Sequence, residues 1–548
     1  MPPELLTDEA LLSELRAIDA FRRRYSSENP AAQVDPQDPD VQRLIEVLAY
    51  TAVRTRQAVL RNLTGTWRRL LGTYFQPLLR PLPAMAMVEA RVTARMTEGT
   101  VLPTGTTLRV ACQDGFIASF QTLAELRIVP AILSDCETRR TNAGYRLILT
   151  FVSTLPRTES VGLLRMHINY LDDYLAALSV HHQLKQHAQR AFVVYDQPVH
   201  DRSDGAACQL LFGESFDEPY EGDERSPLSA VRSYFHFPQQ ELLINLVVPP
   251  SPRPWSRLSI CIELDASWPR TPAIYRELFH PFCVPVQNLY RAPSQPIICD
   301  GTQDSYPVRF VHPDDSYKLH SVVGVYRMEE DGLLPIPSSG VSREAPSYEL
   351  EDSPSVTGSG TTSSLLLRLP SALIHPERIL VDGRWHQPSL ASHLAGRAQV
   401  SLAERSVPGL ELSLVGPIRR GIGVGLGASA DTLLRLLSLK MKAVLDLQDL
   451  KAVLLLLETV EEGPYRGFPQ RIRDLVVEVT PDATLRGAGL RHVYHLLIPP
   501  VATEEVPLWE AMAGQLQRLL DAWNYVGRSE VVLHSKESEL PQRSASPS

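Results

Sequence analysis

The sequence predicts a multidomain α+β fold, an N-terminal helical region followed by β-rich domains with interspersed helices. Three observations carry this. Apolar residues recur at three- and four-residue spacing up to about position 75, and from Met85 onward they alternate between Gly and Pro turns. The chain of 548 residues is too long for one ordinary core. Apolar residues make up 44% and charged residues 21%, ordinary values for a chain that folds.

Residues 7–25 predict a first amphipathic helix, capped by Thr7 or Asp8, with Leu11, Leu12, Leu15, Ile18 and Phe21 on one side. Residues 26–37 read as a polar loop. The stretch 38–83 is the centre of the pattern. Asp38 offers a capping carboxylate, and Pro39 is a residue whose missing N–H costs nothing in a first helical turn. Val41, Leu44, Ile45, Leu48, Val53 and Leu60 then form a broad apolar stripe opposite Gln42, Arg43, Glu46 and Arg54. Such a face must be covered, by the chain itself or by a partner. Thr64-Gly65 predicts a break or bend, and Pro77, Pro81 and Pro83 forbid continuation.

Strands are expected at 87–93 and 107–111, with a turn at Pro103-Thr104-Gly105, and again at 147–151 and 163–168; a helix is expected over 172–189. Residues 227–246 read as a short helix or turn bearing Tyr234, Phe235 and Phe237, stopped by Pro238 and followed by an apolar strand. Three clustered aromatics read first as a core anchor. The proline-spaced stretch 279–297 reads as extended chain lying along another surface, with Pro285, Asn288 and Leu289 at its centre and Asn288 hydrogen-bonding local backbone. Strands are expected within 306–327, at 365–369, at 410–415 and within 481–500, short helices over 432–459, and an amphipathic helix over 507–525.

These elements divide into a helical region 1–84, a β-rich α+β region 85–350 of one or two subdomains, a flexible loop or linker 351–364, a C-terminal α+β domain 365–535 and a disordered tail 536–548. The linker rests on its Ser, Gly and Thr content.

Several chemistries are excluded. Lys and Arg number 54 against 63 Asp and Glu, a formal charge of −9, without the basic stripe of a nucleic-acid binder. Six cysteines without a CxxC pair indicate neither a disulfide framework nor a zinc knuckle. The acidic start has no signal-peptide pattern, and the most apolar run, 450–460, is interrupted by Lys451 and Glu458. The chain therefore reads as cytoplasmic, without membrane insertion. Gly421 to Gly427 lacks the spacing that cradles phosphate, His182 and His187 do not share a helical face, so His181, His182 and His187 read as solvated, and no G-x-S-x-G occurs. Asp314-Asp315 and Glu329-Glu330-Asp331 read as charged turns. No catalytic, cofactor or metal site is expected.

The segments DPDVQRLIEVLAY (38–50), LLGTYFQPLLRPLPAMAMVEA (70–90), Tyr234-Phe235-x-Phe237-Pro238, Pro285-Val286-x-Asn288-Leu289, RGAGLRHVYHLLIP (486–499) and DAWNYV (521–526) resemble, in order, those of the TssF family, also called VasA or ImpG. The resemblance implies a non-enzymatic wedge subunit of the type VI secretion baseplate, at the cytoplasmic side of the inner membrane. It implies TssG-like, TssK-like and TssE-like partners, a second copy of the chain, and a spike hub. In that family, helices of two TssF copies and one TssG share a bundle. The thirteen residues of the stripe and the two motifs named above, from Val41 to Leu289, are the expected core or subunit interface. Departures from the family pattern are Gln42, Ser233, Tyr290 and the stretch VDGRWHQP (381–388). A J-type baseplate protein of a related injection device, and a soluble hydrolase, are the alternatives.

Overall fold

The computed structural model describes the chain except residues 1–2, 30–37, 76–77, 79, 201–202, 214–226, 270, 304, 313, 315, 340–345, 355–360, 370–374, 395, 424–429, 458–462, 482–488, 524–526, 537, 539–540 and 542–548. Side chains are also not described within 3–10, 57–58, 60–75, 353–354, 361, 430–433 and at 456.

Two helices open the fold, Pro3–Glu28 and the 37-residue Pro39–Phe75, and pack together. The second does not break at Thr64-Gly65. A single helical glycine costs about 1 kcal/mol, too little to stop a helix already 26 residues into its hydrogen-bond ladder. Helix Ala430–Lys440 packs against it.

The period-two pattern from Met85 becomes a closed six-stranded barrel ordered Met85–Val92, Cys283–Gln287, Ile117–Thr122, Thr107–Ala111, Gln399–Leu402 and Leu410–Arg419. Inward positions of its first strands, among them Ala86, Val88, Leu108, Val110 and Phe120, are buried. The expected Pro103 turn is present: Gly105 has φ +81°, and Thr106 N–H donates to Pro103 O at 3.1 Å.

An eight-stranded antiparallel sheet runs from Phe279–Pro281 through Gly162–Ile168, Leu243–Val248, Ala206–Phe212, Ala188–Tyr195, Trp255–Leu264 and Tyr145–Arg157 to Ile132–Arg140. Helix Tyr174–His187, capped by the Asp173 carboxylate, joins two of these strands. The barrel, this sheet and the C-terminal helix Val506–Trp523 share one hydrophobic core. A second core, around Phe310, Ile379, Val381 and Trp385, belongs to a five-stranded sheet centred on Glu377–His386. Two C-terminal strands not foreseen, Asp474–Pro481 and Gly527–His534, flank Leu490–Leu497, the second running parallel to it after the helix Val506–Trp523.

Two expectations about organisation fail. Strands Ser347–Pro354 and Thr361–Arg368 form an antiparallel hairpin, with Glu351 paired to Ser364 and Pro354 to Thr361, so both arms of the expected linker are ladder, and 355–360 lies outside the described residues. Its Ser/Thr content suits β-structure as well as coil. The barrel also takes four strands from before residue 351 and two from after it, so no boundary at 351–364 separates those strands.

Gly409 locks one of these late strands to the first. Its carbonyl accepts from both the N–H and the hydroxyl of Thr93, at 2.9 and 3.0 Å, its φ is +80°, and a Cβ there would lie 2.3 Å from Met96 N. Gly409→Ala is expected to destabilise by roughly 2–3 kcal/mol, read as a lower denaturation midpoint.

Candidate interaction site

The long helix is an arm with two unlike sides. Asp38 caps it, its carboxylate accepting from the N–H of Asp40 at 2.9 Å. At 100° per residue, Ile45, Ala49 and Val53 share one side, and Leu44, Val47 and Leu48 the adjoining one. Ala49 and Val53 are fully buried, Val41 and Ile45 half-buried. Leu44 is 61% and Leu48 54% exposed, and Val47, Tyr50 and Val59 are exposed with them. The predicted stripe is thus split, one half turned inward and one left open; the Leu60 side chain lies outside the described residues. On the neighbouring helix Leu12, Phe21 and Tyr25 are exposed as well.

The arm is fixed to the body at its proline-rich exit. Pro81 and Pro83 have no N–H to offer, so this segment is held mainly through carbonyls. Five consecutive carbonyls are taken. Arg80 O accepts from Arg232 at 2.6 Å, Pro81 O from His320 Nε2 at 3.0 Å, Leu82 O from Ile422 N at 2.9 Å, Pro83 O from His236 Nε2 at 3.1 Å and Ala84 O from Asn288 N at 2.7 Å. Leu82 N–H returns a bond to Ile422 O at 2.8 Å. Burial, helped by the positive charges of Arg80 beside His320 and Arg419 beside His236, pushes both imidazoles down to about 3, so each is a neutral donor at physiological pH.

The aromatic motif supports this root from within. Helix Pro227–His236 carries Arg232 and His236 toward the exit and buries Tyr234 and Phe235. Phe235 meets Tyr465 edge-on at 5.2 Å, and the Tyr234 hydroxyl bonds those of Tyr465 and Tyr174. Phe237 joins Met85, Met87, Leu243 and Val415 in a small core of its own, and Pro238 is buried at the head of a 3-10 turn. All four are core positions, as are Pro285 and Leu289.

Asn288 departs from the expected local bonding. Its amide donates to Ser119 O at 2.8 Å and its carbonyl accepts from Gln387 N at 2.9 Å. Gln387 in turn accepts from Ser119 N at 3.0 Å and donates to Ile117 O at 3.1 Å. Two buried amides thus bind the backbone of strand Ile117–Thr122 to chain far along the sequence. Gln387 lies in the stretch that departs from the family pattern, and neither it nor His320 carries a sequence signal; Arg232 and His236 sit beside the aromatic motif and could have been read from it.

Other candidate groups are absorbed by structure. His181 is not solvated: burial lowers it to about 4, and it bonds Leu243 O at 3.3 Å. His187 pairs with Asp265 at 3.0 Å and meets Trp268 edge-on, and His182 lies 3.4 Å from Glu510. Among the described residues no three His, Cys, Asp or Glu side chains converge as a metal would need, and no helix is long and apolar enough to cross a membrane. All six cysteines are free; burial pushes Cys136 and Cys261 up to about 12 and Cys208 to about 11, so these are thiols rather than nucleophilic thiolates. Residues 424–429, most of the glycine-rich run, lie outside the described residues.

Fold and site together define a multidomain α+β protein that leaves an apolar helical face exposed. The model of the type VI secretion system TssF family matches residues 24–335. The chain belongs to the TssF family of the type VI secretion system. It is similar in fold to a chain of the type VI TssK-TssF-TssG baseplate subcomplex, with TM-score 0.71 at 14% identity over 92% of this chain and 99% of that one. It is similar also to a chain of the type VI baseplate complex, with TM-score 0.59 at 15% identity over 96% of each. No curated protein matches the sequence.

Two outcomes follow from the root. Asn288→Leu removes the three hydrogen bonds of its side chain, to Ser119 O, Gln387 Oε1 and Gln387 N, leaves buried backbone groups of Ser119 and Gln387 unpaired, and is expected to cost roughly 2–4 kcal/mol in chemical denaturation. His320, His236, His167 and His386 are each lowered to about 3, below an unfolded value near 6.5. The unfolded chain therefore binds protons first, so their contribution to stability is complete above about pH 6.5 and is lost as pH falls from there toward 3. The thermal midpoint should drop between about pH 7.5 and 5, and a flat profile would contradict neutral donors at the root.

Proposed function

We propose that this chain is a structural, non-enzymatic subunit of a type VI baseplate wedge. In this reading it assembles with TssG-like and TssK-like proteins and a second copy of itself, contacts a TssE-like protein and the spike hub, and works at the cytoplasmic face of the inner membrane. Leu44, Leu48 and their exposed neighbours are the face that enters a helical bundle with those partners, while Val53 and the aromatic motif hold the arm's inner side and its root. The observation that carries the proposal is the open apolar side of an arm whose other side is packed. Leaving such a face in water forgoes roughly 1.5–3 kcal/mol for each large side chain, which a bundle would recover.

Leu44→Asp and Leu48→Asp test it. Both positions are exposed in the single chain, so each substitution should shift its stability by no more than about 0.5 kcal/mol. Buried in a bundle, the same charge costs several kcal/mol. Co-expression with TssG-like and TssK-like proteins should give a stoichiometric complex with the native chain and little or none with either variant. Normal complex yield from both would remove this face from the assembly.

A further inference from the structure

The barrel closes unevenly. Strand Leu410–Arg419 is zipped to Met85–Val92 along seven partner pairs but meets Gln399–Leu402 at the single pair Val400↔Leu412. Beyond that pair, its outer edge from Ser413 onward has no strand beside it among the described residues. A cleft of about 1460 Å³ opens along this seam. Its floor is apolar and half-buried, formed by Val400, Leu402, Leu412 and Leu414. Its rim is cationic: exposed Arg91, Arg397, Arg405 and Arg420 face one carboxylate, Glu411, four positive charges against one negative. Only Arg91 has a carboxylate partner among the described residues, Glu89 at 2.8 Å.

An unpaired strand edge is a template for another strand, and natural sheets guard such edges with inward charges, prolines or bulges. Here Gly416, at φ +75°, Pro417 and a register irregularity opposite Met85–Met87 close the edge on one side and the Val400↔Leu412 pair closes it on the other, leaving Ser413, Leu414 and Val415 between them. Backbone groups along that stretch can bond an incoming strand, half of whose side chains would meet the apolar floor and half the arginine rim. We infer that the cleft receives an extended acidic segment of another polypeptide, added as a short strand beside Ser413–Val415, the unpaired part of the edge. The surface is separate from the apolar face of the arm and does not depend on it.

The probe is a labelled twelve-residue peptide of alternating Glu and Val, titrated against the full chain by fluorescence anisotropy. Saturable binding that weakens with salt is expected, with none for the Lys and Val counterpart. Two further peptides carry N-methyl groups on one or the other alternate set of amides. Since only one set can face the edge, one of them should fail to bind and the other succeed. Arg397→Glu with Arg405→Glu should weaken binding about ten-fold, while Leu44→Asp leaves it unchanged. The inference is overturned if the Glu and Val peptide does not bind or if both methylated peptides bind. Normal binding to the double variant, or equal binding of a single-stranded thymidine oligonucleotide, overturns it too, leaving a nonspecific anion patch.

Discussion

The structure depends most on how one proline-rich segment is held. From Arg80 to Ala84 every carbonyl is claimed, by a guanidinium, two neutral imidazoles and two backbone amides. Prolines strip the segment of donors, so any slip would strand acceptors without water, at roughly 1–3 kcal/mol each. The result is a fixed course for the segment from Arg80 to Ala84 as it enters the barrel. The groups that supply these bonds come from residues 232, 236, 288, 320 and 422, so the root needs the aromatic helix, the five-stranded sheet and the chain just after the last barrel strand to have come together.

That dependence explains the buried amides and aromatics around it. Asn288 gives its backbone N–H to the root and its side chain to Ser119 and Gln387, tying the barrel to the strand of the second core. Tyr234 and Phe235 bring the helix bearing Arg232 and His236 against Tyr465, and Phe468 continues the ring stack to Trp509 at 4.4 Å. Polar groups in this TssF-family chain are spent on geometry. What stays open is apolar helix and an arginine-rimmed strand edge, both suited to other chains.

Local signals were legible where local chemistry decides. The Asp38-Pro39 cap, the Gly105 turn and the burial of the Tyr234 to Pro238 motif each read correctly because the deciding groups are neighbours in sequence. A break at Thr64-Gly65 did not occur because a weak glycine penalty loses to a long cooperative helix. Residues 351–364 misled because composition cannot tell an exposed hairpin from coil. Asn288 misled because its partners lie 169 and 99 residues away. The barrel's two late strands were invisible as such for the same reason: pairing across some 300 residues leaves no trace in periodicity. The apolar stripe was legible as a stripe, but which half faces inward depends on neighbours that spacing does not name.

The 37-residue helix also has a mechanical consequence. At 1.5 Å per residue it reaches about 55 Å from a clasped base. A stiff rod hinged at one end multiplies angle into distance, so a tilt of about 10° at its base would sweep the tip by roughly 10 Å. Small rearrangements around five carbonyls would thereby be magnified into displacements as large as a helix diameter, a long lever on a short fulcrum.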